Sequence, residues 1–378
     1  MAGIYIHVPF CKQACHYCDF HFSTQLGKKE AMLLALQKEL ELRKDKFQSE
    51  VVETIYFGGG TPSVLETSEI EGLINTVYDN YEVTGNPEIT LEANPDDLSK
   101  NRITQLSQSP INRLSIGIQS FYDEDLKLMN RVHNAYEAED CIREAKKYFD
   151  NITIDLIYGI PGMDNNRWKS NIETALSFDL PHISSYALTV EPKTALKKFI
   201  ENGKVPDVDD EQAQEQFNIL VTVLEKNGFV NYEISNFGKS GYFSKNNTSY
   251  WQGKKYMGIG PSAHSFDGKN RSWNIRNNIK YIKALESGTL PMEVETLSLT
   301  DRYNEYVMTG LRTIWGVSLQ KVESDFGKPH SNYLLEHSKK YLDQNLLYLE
   351  EGKLLATQKG KFLVDGIASD LFMVNLES

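Results

Sequence analysis

The sequence predicts an α/β protein in which a partial (β/α)6 barrel precedes a small winged-helix-like α+β domain. Three observations carry this. Six short β-type runs alternate with amphipathic helical patterns in the first half. The alternation stops near residue 195. The tail reads as three helices and then two β runs that flank turn residues. Three units follow from these breaks: residues 1–200, 201–295 and 296–378.

The β-type runs are "GIYIHV" (3–8), "ETIYFGG" (53–59), "EITLEAN" (88–94), "RLSIGIQ" (113–119), "ITIDLIYG" (152–159) and "ISSYALT" (183–189). Between the first two, residues 28–47 put Leu33, Leu34, Leu36, Leu40 and Leu42 largely on one helical face. Further helical patterns span 67–81, with Thr67 or Ser68 as N-cap, then 135–149 and 166–178. Successive β-then-α units demand a parallel sheet with helices outside. Right-handed crossovers between sequential neighbours curl such a sheet into a full or partial barrel, whose functional mouth lies at the C-terminal strand ends. Past the break, residues 209–229 form a helix ending at Asn227-Gly228. The Gly/Ser/Asn/aromatic stretch 238–268 is too polar for core and too aromatic for a disordered linker. In "LLYLEEGKLLATQKGKFLVDG" the two β runs flank a turn, which gives the small terminal domain.

The chain has 378 residues, 40% hydrophobic and 24% charged, an ordinary globular composition. Its net charge of −12 and the lack of a Lys/Arg-rich run argue against nucleic-acid binding. No stretch approaches the roughly 20 apolar residues of a membrane span, and the N-terminal apolar run is too short for a signal h-region. Four cysteines cannot staple so long a chain, so a cytoplasmic location with free thiolates is expected.

Three of the four cysteines crowd into "HVPFCKQACHYCDFHF" as Cys11, Cys15 and Cys18, a C-x3-C-x2-C spacing. Structural zinc sites want four ligands, usually from two separated pairs. Three close thiolates suit a [4Fe–4S] cluster with one iron left open for a small chelating ligand. Zinc completed by His16 or His21 is the alternative. Cys141 lies far away in a helical pattern and reads as a small buried residue.

This motif after a first strand in a βα-repeat barrel resembles the radical S-adenosylmethionine (radical SAM) family. The resemblance implies that the methionine amino and carboxylate groups chelate the open iron, and that an electron from the cluster cleaves the sulfonium. The glycines of "FGGGTPS" (57–63) permit close backbone approach, and they resemble the family's amino-group-binding turn. Glu92 ends the third strand, Gln119 the fourth, and Arg131 follows one helix later. Asp155 sits inside an apolar strand, where a carboxylate is costly unless paired or ligand-bound.

In order along nearly the whole chain, these residues resemble the anaerobic coproporphyrinogen III oxidase-like branch. The resemblance implies one SAM at Tyr5, Gly59 and Glu92. It implies a second at Tyr17, Gly60, Thr61, Gln119, Arg131, Asp155 and Ala187. Phe20 stands where the oxidase has a fourth cysteine, and Cys11 arrives too early for that enzyme's N-terminal arm. Both features resemble instead the HemW-type haem chaperones, which carry haem to haem proteins, membrane-bound respiratory enzymes among the expected acceptors. A peripheral meeting with the membrane and a homodimer belong to the same expectation. A coproporphyrinogen dehydrogenase and a two-SAM methyltransferase are the alternatives. The chaperones' usual Cys-x-His-Asn-x-x-Tyr-Trp stretch reads "SKNNTSYW" (244–251) here: Asn247, Tyr250 and Trp251 match, while Ser244 and Asn246 replace the Cys and His. His264 is therefore the candidate haem ligand, and His7 is read as structural.

Overall fold

A computed structural model describes residues 2–47 and 50–374. The outermost residues of the expected first and third units, and residues 48 and 49, lie outside the described residues. Strands β1 (Ala2–Val8), β2 (Val52–Gly59), β3 (Val83–Ala93), β4 (Arg113–Gln119), β5 (Ile152–Tyr158) and β6 (His182–Ala187) are parallel and sequential neighbours. Helices α1 (Lys29–Arg43), α2 (Thr67–Asn80), α3 (Lys100–Ser107), α4 (Asp123–Leu128), α5 (Ala135–Ala145) and α6 (Asn165–Ser177) lie in the crossovers. Each strand prediction lands within a few residues. The short α3 and α4 had escaped it, because six to eight residues hold too few apolar positions to show a period.

After α7 (Ala195–Glu201) and α8 (Asp210–Lys226), β7 (Val230–Glu233) and β8 (Asn236–Gly238) pair antiparallel at the β6 edge. The stretch 238–268 is more ordered than its composition suggested. It holds α9 (Lys245–Trp251), β9 (Lys255–Ile259) and β10 (His264–Phe266). Strand β9 pairs parallel with β1 on the side opposite β2. Strand β11 (Asn270–Asn274), helix α10 (Asn278–Glu286) and strand β12 (Met292–Thr296) follow. The result, among the described residues, is one open twelve-stranded sheet running β12-β11-β10-β9-β1-β2-β3-β4-β5-β6-β8-β7. The C-terminal unit packs α11 (Leu299–Leu311), α12 (Leu319–Phe326) and α13 (Lys328–Asp343) on a small sheet of β13 (Val317–Ser318), β14 (Leu347–Glu350) and β15 (Lys353–Ala356). It has its own core around Tyr303, Val307, Leu334 and Leu354.

Strand alternation sorts residues between helix layer and lumen. In β1, Ile4, Ile6 and Val8 are buried under the helices, while Gly3, Tyr5 and His7 line a central cavity. The expected leucine face of α1 is corrected. Leu36 and Leu40 are buried, but Leu34 and Leu42 point outward, 61% and 37% exposed. The buried stripe is Met32, Ala35, Leu36, Glu39, Leu40 and Arg43, so it includes an ion pair. The α2 N-cap is Glu66 rather than Thr67 or Ser68. Its N–H donates to the Glu69 carboxylate at 2.7 Å, while Thr67 takes the Arg102 guanidinium.

Glu39 is wholly buried. It accepts from Arg43 (2.9 Å), Asn274 (2.8 and 3.0 Å), Tyr281 (2.5 Å) and the Gly260 N–H (2.9 Å). Arg43 also donates to the Gly258 carbonyl and the Ser265 hydroxyl. This network clasps β9–β11 and α10 onto α1. Glu39→Ala leaves Arg43 buried without its carboxylate, at a cost of about 3–5 kcal/mol. Denaturant unfolding should show that loss, whereas the outward Leu34→Ala should stay within about 0.5 kcal/mol of wild type.

Candidate functional site

The cysteine loop leaves β1 at its C-terminal end. Its two limbs are tied by the Cys11 N–H to the Ser23 carbonyl (3.1 Å) and by the Ser23 N–H to the Pro9 carbonyl (2.9 Å). Its flanks are tied as well. Lys12 pairs with Asp96 and Asp97, and Asn130 Nδ2 donates to the Ala14 carbonyl at 2.7 Å. Arg276 Nη2 donates to the Asp19 carbonyl at 2.5 Å, and His21 Nε2 lies 2.7 Å from Asn278 Oδ1. Cys11, Cys15 and Cys18 are free and partly exposed, whereas Cys141 is buried as expected.

These thiols fit a cluster better than a single ion. The Thr61 hydroxyl donates to Cys11 Sγ and the Arg131 guanidinium to Cys15 Sγ, both at 3.4 Å. Donors aimed at sulfur favour the thiolate. Against this, burial pushes the Cys18 thiol up to about 11 and raises Cys11 too, so these ligands call for a cationic partner. Among the described residues no three His, Cys, Asp or Glu side chains converge as ligands of one ion. A cube-shaped cluster gives each thiolate its own iron and needs no such convergence. The imidazoles of the zinc alternative are engaged elsewhere. His16 Nδ1 meets the Leu128 carbonyl at 2.9 Å, its ring edge packs on Phe199, and His21 holds Asn278.

The strand-end residues gather beneath the loop. Gly59 has φ +108°, and a Cβ there would stand 2.4 Å from His7 Nδ1. At Gly60 a Cβ would stand 2.5 Å from the Phe10 carbonyl. The Gly60 and Thr61 N–H groups donate to the carbonyls of Val8 (2.9 Å) and Phe10 (2.7 Å), locking the glycine turn to the cysteine loop. Tyr5 stacks on Tyr56, whose hydroxyl donates to Glu92 at 2.7 Å. Arg131 Nη2 donates to Asn94 Oδ1 (2.6 Å) and the Gly117 carbonyl (2.7 Å). Its charge faces Tyr17, Cys15 and Asp155. Gln119 ends β4 with φ +70°, a strained conformation for a side-chain-bearing residue. Ala187 ends β6 beside Tyr158, without a polar contact to the others. Arg131 Nε and Asp155 Oδ1 are buried without hydrogen-bond partners, which fits a polar ligand completing the set.

Beside these residues lies a cavity of about 880 Å³. Gly3, Tyr5 and His7 run up one wall, with Glu92, Tyr186 and Glu233 across it. Asp19, Phe20 and His21 of the cysteine loop close its upper end, and Asn246, Tyr250 and Trp251 of α9 its lower end. Phe20 is 69% exposed. His264 lines the cavity from β10, its ring 6.1 Å from that of Trp273 across the strand pair. Ser244 is excluded from the lumen. It is fully buried as the α9 N-cap, accepting from the Asn247 N–H at 3.3 Å. Asn246 faces the cavity, its side-chain oxygen accepting from Thr54 at 3.2 Å. Sequence reasoning had missed Tyr56 and Tyr186, and had read His7 as structural only. His7 does hold the His21 carbonyl at 2.9 Å, but it also lines the cavity. Its period-two spacing from Gly3 and Tyr5 is the signal that finds it.

Burial moves the acids and bases of this site. It raises the Glu92 carboxyl to about 7, opposed by the Tyr56 hydroxyl and aided by Asp155. It raises Asp155 to about 6 against the pull of Arg113. It lowers His7 to about 4. A carboxyl raised in the fold keeps a proton that the unfolded chain releases. Its stabilisation is therefore complete below the ordinary carboxylate range and fades as pH rises through 6 to 7. Glu92 and Asp155 therefore make a falling contribution between about pH 5 and 7, opposed by His7, whose lowered pKa makes its own contribution rise between about pH 4 and 6.5. Glu92→Gln should remove a part of the falling contribution on the order of 3 kcal/mol. Denaturation midpoints across that range check this, and identical pH slopes in both proteins would contradict it.

Comparison with known proteins agrees with this geometry. The sequence matches the Radical SAM superfamily over residues 5–175 and the HemN C-terminal domain over residues 297–363. It is 34% identical to "Heme chaperone HemW" of Lactococcus lactis, covering 96% of this chain and 97% of that one. It is 33% identical to the Bacillus subtilis protein of the same name, with the same coverage. It is 30% identical to the mitochondrial "Radical S-adenosyl methionine domain-containing protein 1" of Danio rerio, over 98% of this chain and 87% of that one. In fold it resembles the coproporphyrinogen III oxidase HemN of Escherichia coli, with a TM-score of 0.85 at 21% identity, over 98% of this chain and 90% of that one. The cysteine loop, the glycine turn locked to it and the full-length likeness to the chaperones together identify the chain as a member of the HemW family within the radical SAM superfamily.

Proposed function

We propose that this protein is a haem carrier on a radical SAM scaffold, which binds haem in the central cavity and passes it to acceptor haem proteins. The observation that carries the reading is the cavity itself. It is about 880 Å³ and walled by Tyr5, Tyr56, Tyr186, Tyr250, Trp251 and Tyr256, a slot suited to a flat apolar ring. Its upper end is lined by a cysteine loop in which Phe20 stands at the position of the oxidase-type fourth cysteine. Full-length likeness to proteins named heme chaperones supports it further.

In this reading Cys11, Cys15 and Cys18 hold a [4Fe–4S] cluster. Tyr5, Gly59 and Glu92 hold a SAM molecule that completes it. Tyr17, Gly60, Thr61, Gln119, Arg131, Asp155 and Ala187 form the second SAM position. When bound, the cluster supplies an open iron for the amino and carboxylate groups and a source of single electrons. The chain's part is to hold three thiolates with Thr61 and Arg131 hydrogen-bonded to sulfur, and to orient the ligand against the glycine turn. His264 is the axial ligand of the haem. Burial, then Arg271, lowers its pKa, keeping it neutral for coordination. Acceptors include membrane-bound respiratory enzymes met at the membrane surface. Among the described residues no helix is long and apolar enough to cross a membrane.

Anaerobic reconstitution should give about four irons per chain. Cys15→Ala should lose them, and unchanged iron content would refute the assignment. Titration with haem should give a Soret band that saturates at one equivalent. The carrier reading fails if no band forms while coproporphyrinogen is decarboxylated in the presence of SAM. His264→Ala should shift or weaken the band, and an identical spectrum removes His264 as ligand.

A further inference from the structure

The lower end of the cavity, opposite the cysteine loop, gathers cations in a chain whose net charge is −12. Tyr256 pairs with Gly3 at the start of β1, and Phe266 pairs with both Tyr256 and Arg271. Arg271 therefore sits at the bottom of the lumen. It donates from Nη1 to the Tyr256 hydroxyl at 3.0 Å and from Nε to Glu305 of the C-terminal unit at 2.5 Å. Lys254 and Lys255 line the same end. Their partners Glu53 and Glu50 stand outside the cavity wall.

Arg312 arrives from the C-terminal unit. Its guanidinium lies over the Trp251 indole, 5.1 Å from the ring centre, and it too lines the cavity. One terminal nitrogen meets Asp365, itself 62% exposed, while Nε is buried without a hydrogen-bond partner. The acid facing Arg312 within the cavity is Glu233, whose carboxylate is already held by Asn236 Nδ2 and the Ser235 N–H. Indole and guanidinium together offer a flat apolar surface edged by a fork of donors.

We propose that this end recognises the carboxylates of the bound tetrapyrrole, with Arg312 and Arg271 as the anchoring guanidiniums. The inference rests on the haem reading and adds an orientation to it. His264 lies two residues above Phe266 on β10, on the same face as Arg271 and about 7 Å nearer the cysteine loop. The metal then faces His264, and the carboxylate edge points away from the loop toward the C-terminal unit. That unit is thereby part of the binding site.

The test compares ferric haem with its dimethyl ester, each titrated into the reconstituted full-length protein and followed by the Soret band. Wild type should bind the diester at least about tenfold more weakly, as expected for loss of a charge-assisted pair. Arg312→Gln should bring the two ligands to within about threefold of each other, and Arg312→Lys should restore part of the preference. The ester comparison in wild type needs no substitution, so it stands even if Arg271→Gln frees Glu305 and loosens the C-terminal unit. Equal affinity for both ligands in wild type would overturn the carboxylate assignment while leaving haem binding intact. Absence of a band with either ligand would overturn both.

Discussion

The site depends on strand β1 being gripped from both sides. Parallel ladders to β2 and β9 fix its register and orientation along its length. What leaves its C-terminal end is therefore held before any ligand arrives. The cysteine loop inherits this rigidity and is then tied again at Ser23, Ala14, Asp19 and His21, and through Lys12 to the segment after β3. The same strand supplies Tyr5 and His7 to the cavity. The loop that carries the thiols and the wall that faces a ligand are two ends of one element.

The lumen is built against the usual preference for apolar interiors. Glu92, Asp155, Arg131 and Arg113 share a largely enclosed neighbourhood that disfavours isolated charge. Such groups cost stability unless paired. Tyr56, Asn94, Gly117 and Ser184 offset part of the cost, and the unpartnered Asp155 Oδ1 and Arg131 Nε mark where it is not offset. Polar groups left incomplete around a cavity are what a ligand-binding centre requires. The Glu39–Arg43–Asn274–Tyr281 network lies outside the cavity and both Glu39 oxygens are taken up within it, although Arg43 Nε and Asn274 Oδ1 stay unpartnered; its role is to hold the β9–β11 arm in place.

Much of the first half was legible in the sequence, because parallel buried strands read as short apolar runs and the cysteine spacing is explicit. Cys11, Cys15, Cys18, Gly59, Gly60, Arg131 and Asp155 fall around one loop and the strand ends beneath it, as the alternation of β and α units implied. The arm formed by β9 to β12 was not legible. Its strands are three to five residues long, and the pairing of β9 with β1 joins segments about 250 residues apart, which no local pattern encodes. The inward turn of Glu39 and Arg43 was hidden as well, because their spacing on α1 matches that of an exposed ion pair. Arg271 and Arg312 escaped notice for the same reason: each reads as an isolated surface charge until the fold brings it to the cavity floor.

A carrier differs from a catalyst in what limits its output, and this fold allows the difference to be measured. Residues of β7–β11 and Arg312 of the C-terminal unit line the cavity, so in the proposed function a protein acceptor would meet the haem beside that unit. Stopped-flow mixing of the haem-loaded protein with an excess of an apo haem protein follows the transfer directly. A rate that rises with acceptor concentration before levelling is the predicted result, since it requires a complex of the two proteins. A rate independent of acceptor concentration and equal to haem loss into buffer would contradict the account, because it would reduce the protein to a reservoir of dissociating haem.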